Sequence, residues 1–309
     1  MSRESLDTRL LVVRNERSTN ANRAKHIVEL LRSRWPSDIE EVHTKYKKAS
    51  DNIHDLTPKV RDGDTVVACG GDGQGYVGGN IIIQSGRQAR LAVMPCGNAN
   101  DLAISTYGAD IARQERLYAL FERGRNQAFG GIRIEGLGDT LHALGNAAFG
   151  NSANTIQRIG GDKFRAQKTA HPHIPELAME AGAVVYAAFE SKPFEYEEDG
   201  ERSKAVTMDF VTSRLMAKLM HFDILPYGQE MTNIELGPDY FKTRLAWQAM
   251  KGLAHRLKGE TIQQREITLL SPVTFQRDGE FEGVEAGTTV TLTHEQNIVD
   301  FLIPEEAAA

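Results

Sequence analysis

The chain has 309 residues, of which 36 are Lys or Arg and 42 are Asp or Glu, for a formal charge of −6. That acidic balance argues against a dedicated nucleic-acid binder, which needs a basic excess to neutralise phosphates. A content of 40% hydrophobic and 25% charged residues argues against wholesale disorder.

The first 130 residues alternate short β-rich runs with helical patterns, the signature of βαβ units around a parallel sheet. Residues 10–13 read as a strand. Residues 20–34 read as a helix, with Asn20 as cap and Ala24, Ile27, Val28 and Leu31 as its apolar face. Further strands are expected at 39–44, 65–69 and 91–94. Beyond about residue 130 the runs shorten, and 194–198, Asp199-Gly200 and 205–211 read as strand, turn, strand. Strands are also expected at 267–270, 273–276 and 288–293, with helices at 175–190 and 238–257. The expected division is an α/β nucleotide-binding domain over 1–133, a β-rich domain over 134–299 and a tail over 300–309. Cys69 and Cys96 lie in apolar runs without a partner at ligand spacing, which excludes a disulfide scaffold and a thiolate zinc site and fits a reducing cytoplasm. With no apolar run of about 18 residues and no signal-peptide core in residues 1–9, a cytoplasmic protein is expected, with any membrane contact peripheral.

Two segments stand out at expected strand ends. Residues 70–79 hold six glycines, in Gly70-Gly71-Asp72-Gly73-Gln74-Gly75-Tyr76-Val77-Gly78-Gly79. Glycine lets backbone N–H groups approach phosphate oxygens closely; a tight turn with close packing would use the same residues, and composition leaves the two readings level. Asp72 would repel phosphate unless it held a metal or acted on a hydroxyl proton. The second segment, Pro95-Cys96-Gly97-Asn98-Ala99-Asn100-Asp101-Leu102-Ala103, is expected to start a helix capped by Asn100 or Asp101, leaving N–H groups for an anion. An ordinary strand-to-helix connection is the alternative.

Together the segments resemble the diacylglycerol kinase catalytic family, which includes bacterial lipid kinases and sphingosine kinases and is distantly related to NAD kinases. Gly70-Gly71-Asp72-Gly73 is similar to the family's GGDGT, and Pro95-x-Gly97-x-x-Asn100-Asp101-x-Ala103 to its PxGTxNDxA. Weaker echoes are residues 15–19, where the family has NPxSG, Thr44 at the end of the second strand, residues 251–260, similar to an LxGKH-like turn, and Arg277-Asp278-Gly279-Glu280, similar to a late DGE motif.

The resemblance implies an α/β N-terminal domain with a parallel sheet plus a C-terminal β-sandwich, with ATP and Mg2+ in the cleft between them and a chain end that can return to the first domain. It implies nucleotide contacts from Asn15, Thr44, Gly70, Gly71, Asp72, Gly73, Gln74, Gly97, Asn98, Asn100 and Asp101, and a catalytic carboxylate among Asp72, Asp278 and Glu280. The implied activity is transfer of the γ-phosphoryl group of ATP to a hydroxyl of a lipid or lipid-like alcohol, with room for a homodimer. A soluble-substrate kinase closer to NAD kinase and a nucleotide-binding protein without turnover are the alternatives.

Departures from the pattern are specific. Gln74 stands where the family has Thr, Tyr76 and Val77 where it has Asn-Glu, and Asn98-Ala99 where it has Thr-Gly. Residues 226–236 lack the Asp-Asp-Gly that helps hold a structural magnesium. His171-Pro172-His173 reads as an exposed loop, and the basic helix expected over 241–258 reads first as packed on the sandwich and second as lying on anionic lipid.

Overall fold

The computed structural model describes residues 8–15, 21–36, 38–46, 48–97, 100–108, 110–160, 192–212, 230–238 and 259–305. His171, His173, the helix expected at 175–190 and nearly all of that expected at 238–257 lie outside them.

The N-terminal elements are β1 (Leu10–Arg14), α1 (Ala21–Arg34), β2 (Ile39–His43), α2 (Ala49–Leu56), β3 (Thr65–Gly70), α3 (Asp72–Ser85), β4 (Arg90–Pro95), α4 (Asp101–Tyr107) and α5 (Gln114–Arg123). β1 and β3 are near-continuous apolar runs because helices cover both faces of the sheet. α1 buries Ala24, Ile27, Val28 and Leu31, the stripe expected from its sequence. The strands pair in parallel in the order β2-β1-β3-β4. The step from β1 to β2 runs one way along the sheet and the steps to β3 and β4 run the other, so right-handed crossovers put α1 on one face and α2 and α3 on the opposite face. α5 joins α1, with Trp35 packed edge-on against Tyr118 and Phe121 at 5.6 and 6.0 Å. The strand order reverses between β1 and β3, and the crevice outside their carboxyl ends is the natural ligand position of such a sheet.

The remainder comprises β5 (Arg125–Glu135), β6 (Leu141–Ala143), β7 (Asn146–Gly150), α6 (Asn151–Gly160), β8 (Phe194–Glu198), β9 (Glu201–Ala205), β10 (Thr207–Val211), β11 (Met231–Leu236), β12 (Glu260–Ile262), β13 (Gln264–Leu269), β14 (Val273–Arg277), β15 (Glu280–Val284) and β16 (Thr289–Ile303). One sheet is antiparallel throughout, in the order β12-β11-β10-β7-β14-β15. It packs on the antiparallel part of the other through a core that includes Phe149, Phe210 and Phe275 on one side and Ile132, Ile267 and Leu292 on the other. The chain is thus a mostly parallel α/β domain followed by a domain of antiparallel strands. β16 belongs to both: Thr289 to Thr293 pair antiparallel with β13, and Asp300 and Phe301 pair parallel with Arg90 and Leu91 of β4. β5 runs beside β16 with a register shift between Glu295 and Val299.

Two expectations are corrected. The hairpin partner of β8 is β9, not 205–211: the chain leaves that sheet at Val206, and Thr207–Val211 pairs in the other. β9 carries exposed Glu, Arg, Ser and Lys and shows no hydrophobic alternation, so its sequence gave no strand signal. The stretch after Gly71, read as a phosphate-approaching or tight-turn glycine segment, is helix α3. Its glycines serve close packing, since a methyl at Gly75, Gly78 or Gly79 would lie 2.6 Å from Leu102, 2.9 Å from Leu91 or 2.5 Å from Leu144.

Candidate active site

The glycine segments, the ends of β1 and β2, and the turn between β14 and β15 meet at the carboxyl edge of the parallel sheet. Asn15 follows β1 directly. Thr44 follows β2, and its N–H donates to the carbonyl of Arg14 at 3.0 Å, holding the two strand ends together. Gly70 ends β3 and Gly71 is the N-cap of α3. Gln74 covers Gly70: its side chain is buried and its Nε2 has no hydrogen-bond partner. Such a donor costs free energy unless a ligand or water accepts from it.

Gly71 and Gly97 bring the two segments into backbone contact. A Cβ on Gly97 would lie 2.3 Å from the Cα of Gly71, so only glycine permits this approach. The expected cap on α4 is not made by Asn100. That residue has φ 56° and no side-chain capping bond; its Oδ1 accepts from the N–H of Gly97, and its Nδ2 donates to the carbonyl of Gly97, both at 2.7 Å. Asp101 is the first residue of α4, and Asn98 lies outside the described residues. Asp72 supplies the cap instead, Oδ1 accepting from the N–H of Leu102 at 2.9 Å. A carboxylate there satisfies an otherwise orphaned donor.

Asp278 and Gly279 form the two-residue turn of the β14–β15 hairpin, with φ 42° and 88°. Asp-Gly is suited to that left-handed turn. The Asp278 carboxylate is buried and accepts three backbone N–H groups, from Leu144 at 2.5 Å, Gly145 at 2.8 Å and Asn146 at 2.9 Å. Burial pushes its pKa up to about 7, opposed by those three amides and reinforced by the charge of Asp72. Glu280 accepts from the N–H of Ala49, at the start of α2, and burial raises its pKa. The turn lies against the first turn of α3, where a methyl on Gly73 would be 3.6 Å from Glu280 Oε1 and 3.8 Å from the Asp278 carbonyl. Hairpin and site are therefore the same feature.

Other participants carried little sequence signal. Tyr76 is buried and hydrogen-bonds Arg277, with its hydroxyl pKa raised by burial; Arg277 also pairs with Glu282 at 2.6 Å. Asn146 anchors the turn from the other side, its carbonyl accepting from the Asp278 N–H at 2.9 Å. Only an isolated Asn in the apolar run from Ala143 to Phe149 could have marked it. Cys69 and Cys96, at the roots of the two glycine segments, are buried free thiols hydrogen-bonded to each other, and that bond raises the pKa of Cys69 and lowers that of Cys96. Among the described residues no group of three or more His, Cys, Asp and Glu side chains forms a metal cluster, and no helix is long and apolar enough to cross a membrane.

Residues 9–127 match the model of the diacylglycerol kinase catalytic domain. This segment belongs to the diacylglycerol kinase catalytic family. The kinase-family segment spans β1 to the start of β5 and holds both glycine motifs. The whole chain has the fold of two solved structures from Bacillus anthracis str. Sterne. One, assigned as a diacylglycerol kinase, is 14% identical with a TM-score of 0.68, covering 99% of this chain and 100% of the other. The second, titled as a diacylglycerol kinase, is 15% identical with a TM-score of 0.65, covering 97% and 98%. No curated protein matches the sequence significantly.

Proposed function

We propose that the protein is an ATP-dependent lipid kinase, transferring the γ-phosphoryl group to a hydroxyl of a lipid or lipid-like alcohol. The reading is carried by one juxtaposition: the Asp278-Gly279-Glu280 turn, some 200 residues further along the chain, sits on the first turn of α3 beside Asp72. That contact gives the kinase-family segment carboxylates it does not contain.

In this mechanism the crevice between the ends of β1 and β3 takes the nucleotide. Asn15 and Thr44 border it, the Gly71–Gly97 contact shapes its floor, and the unpartnered Nε2 of Gln74 fits a phosphate oxygen. Asp72 and Glu280 would be the residues to hold Mg2+, offering the hard carboxylate oxygens that ion takes, and the ion would neutralise phosphate charge. Asp278, titrating near neutral pH, takes the proton of the acceptor hydroxyl; three of its four lone-pair positions are filled by amides, and the fourth remains for that proton.

A second reading has its own support. All three carboxylates accept backbone N–H groups, Asp72 at α4, Glu280 at α2 and Asp278 at residues 144–146, which is what a binding protein without turnover would retain for structure. Incubation with labelled ATP, Mg2+ and a panel of lipids and soluble alcohols separates the two. A labelled lipid product supports the kinase; ATP binding with no labelled product supports the second reading. A labelled soluble product alone replaces the lipid acceptor.

A further inference from the structure

On the α1 face of the parallel sheet a cavity of about 480 Å3 is lined by Arg23, His26, Ile27, Asp110, Ala112 and Arg113. Arg23, His26 and Ile27 stand three and four residues apart, on one face of α1, while the others come from the turn that leads into α5. Ile27, only 1% exposed, gives the cavity an apolar wall. Neither guanidinium has an ion-pair partner among the described residues. The single carboxylate, Asp110, is already paired with Arg116 at 3.0 Å. In a chain of net charge −6, two free guanidinium groups around one concavity form a local reversal of sign.

We propose that this cavity binds a phosphate monoester group, at a site separate from the nucleotide crevice. Guanidinium forks contributed by two elements suit a tetrahedral dianion, which accepts several charge-assisted hydrogen bonds at once. The topology supports separateness: the Asp278–Glu280 turn contacts α2 and α3, on the opposite face of the sheet from α1. Either a lipid headgroup or a free phosphorylated metabolite offers this chemistry.

The test uses the full chain in two arms. Calorimetry titrates inorganic phosphate into protein saturated with ATP, and co-sedimentation compares vesicles of phosphatidylcholine with and without phosphatidic acid. Wild type is expected to bind phosphate with ATP present, and the double variant Arg23→Gln, Arg113→Gln to bind about tenfold more weakly or worse, as loss of charged hydrogen bonds implies. Both side chains are exposed, so the variant should fold. Arg202→Gln, on the exposed edge strand β9, controls for the loss of a surface cation elsewhere. Recruitment to phosphatidic acid that the double variant loses assigns the headgroup as source; phosphate binding without recruitment assigns a free phosphate, and either result supports the site. Displacement of phosphate by ATP would merge the cavity with the nucleotide crevice and overturn the proposal. So would an equal loss in Arg202→Gln, or no phosphate binding in either arm.

Discussion

Two glycine-bearing segments meet at the candidate active site, and they use glycine for different physical reasons. Between Gly70 and Gly79 no glycine has positive φ; Gly75, Gly78 and Gly79 inside α3 are there because leucine side chains occupy the space a Cβ would need. At the Asp278-Gly279 turn the reverse holds: φ is 88° at Gly279, and nothing lies within 4 Å of a Cβ placed there. One segment sets how closely elements approach, and the other reverses the chain. A count of glycines after a strand therefore does not measure phosphate binding.

The contrast breaks most sharply at Gly97. Gly97→Ala places a methyl against immovable backbone and should cost about 3 kcal/mol of stability with loss of ATP affinity. Gly73→Ala, whose nearest contact is 3.6 Å away, should gain up to about 1 kcal/mol from helix propensity. Urea unfolding of both variants decides the matter, and equal destabilisation would defeat the spacing account. At the turn, Asp278→Asn should lower kcat by about a hundredfold or more, the effect of a lost base, with ATP affinity retained. Because the ionised form is the active one, wild-type kcat should rise with pH through about 7, and the variant should lose that dependence. A flat wild-type profile would exclude Asp278 as the base.

A third test compares Asp278 with Asp209, which is buried on β10 of the same sheet but, among the described residues, has only hydroxyl partners, Ser152 at 2.8 Å and Thr207 at 3.1 Å. Burial pushes the Asp209 pKa up to about 6. The native state therefore holds this proton more tightly than the unfolded chain, so stability is greatest below the ordinary carboxylate range and falls as pH rises through about 6. The loss is up to about 3 kcal/mol. Asp209→Asn should remove that slope in urea midpoints measured across the range. The smallest effect is expected of Gly279→Ala, where only backbone strain opposes the substitution, at about 1 kcal/mol; a larger loss would mean the turn is more crowded than its geometry indicates.

The sequence made the parallel sheet legible because its strands are unbroken apolar runs and α1 carries one clean stripe. It did not disclose α3, since glycines that a helix tolerates only under close packing resemble a loop when neighbours are unknown. β9 was silent because an exposed edge strand need not alternate. Of the candidate site, the membership of Asp72, Asp278 and Glu280 in one locality rested on resemblance to a family, not on spacing, and the helix-capping duties of Asp72 and Glu280 had no local signal at all. Each depends on an N–H 30 or more residues away in sequence.

The double membership of β16 bears on how the chain can be made. During vectorial synthesis the first four strands emerge early, yet the free side of β4 is covered only when Asp300 and Phe301 arrive. Until then the nascent parallel sheet presents an unprotected edge, the kind of surface that pairs promiscuously with other chains. Completion of the parallel sheet thus waits for Asp300 and Phe301, and a stop placed before residue 289 would leave both domains short of a strand.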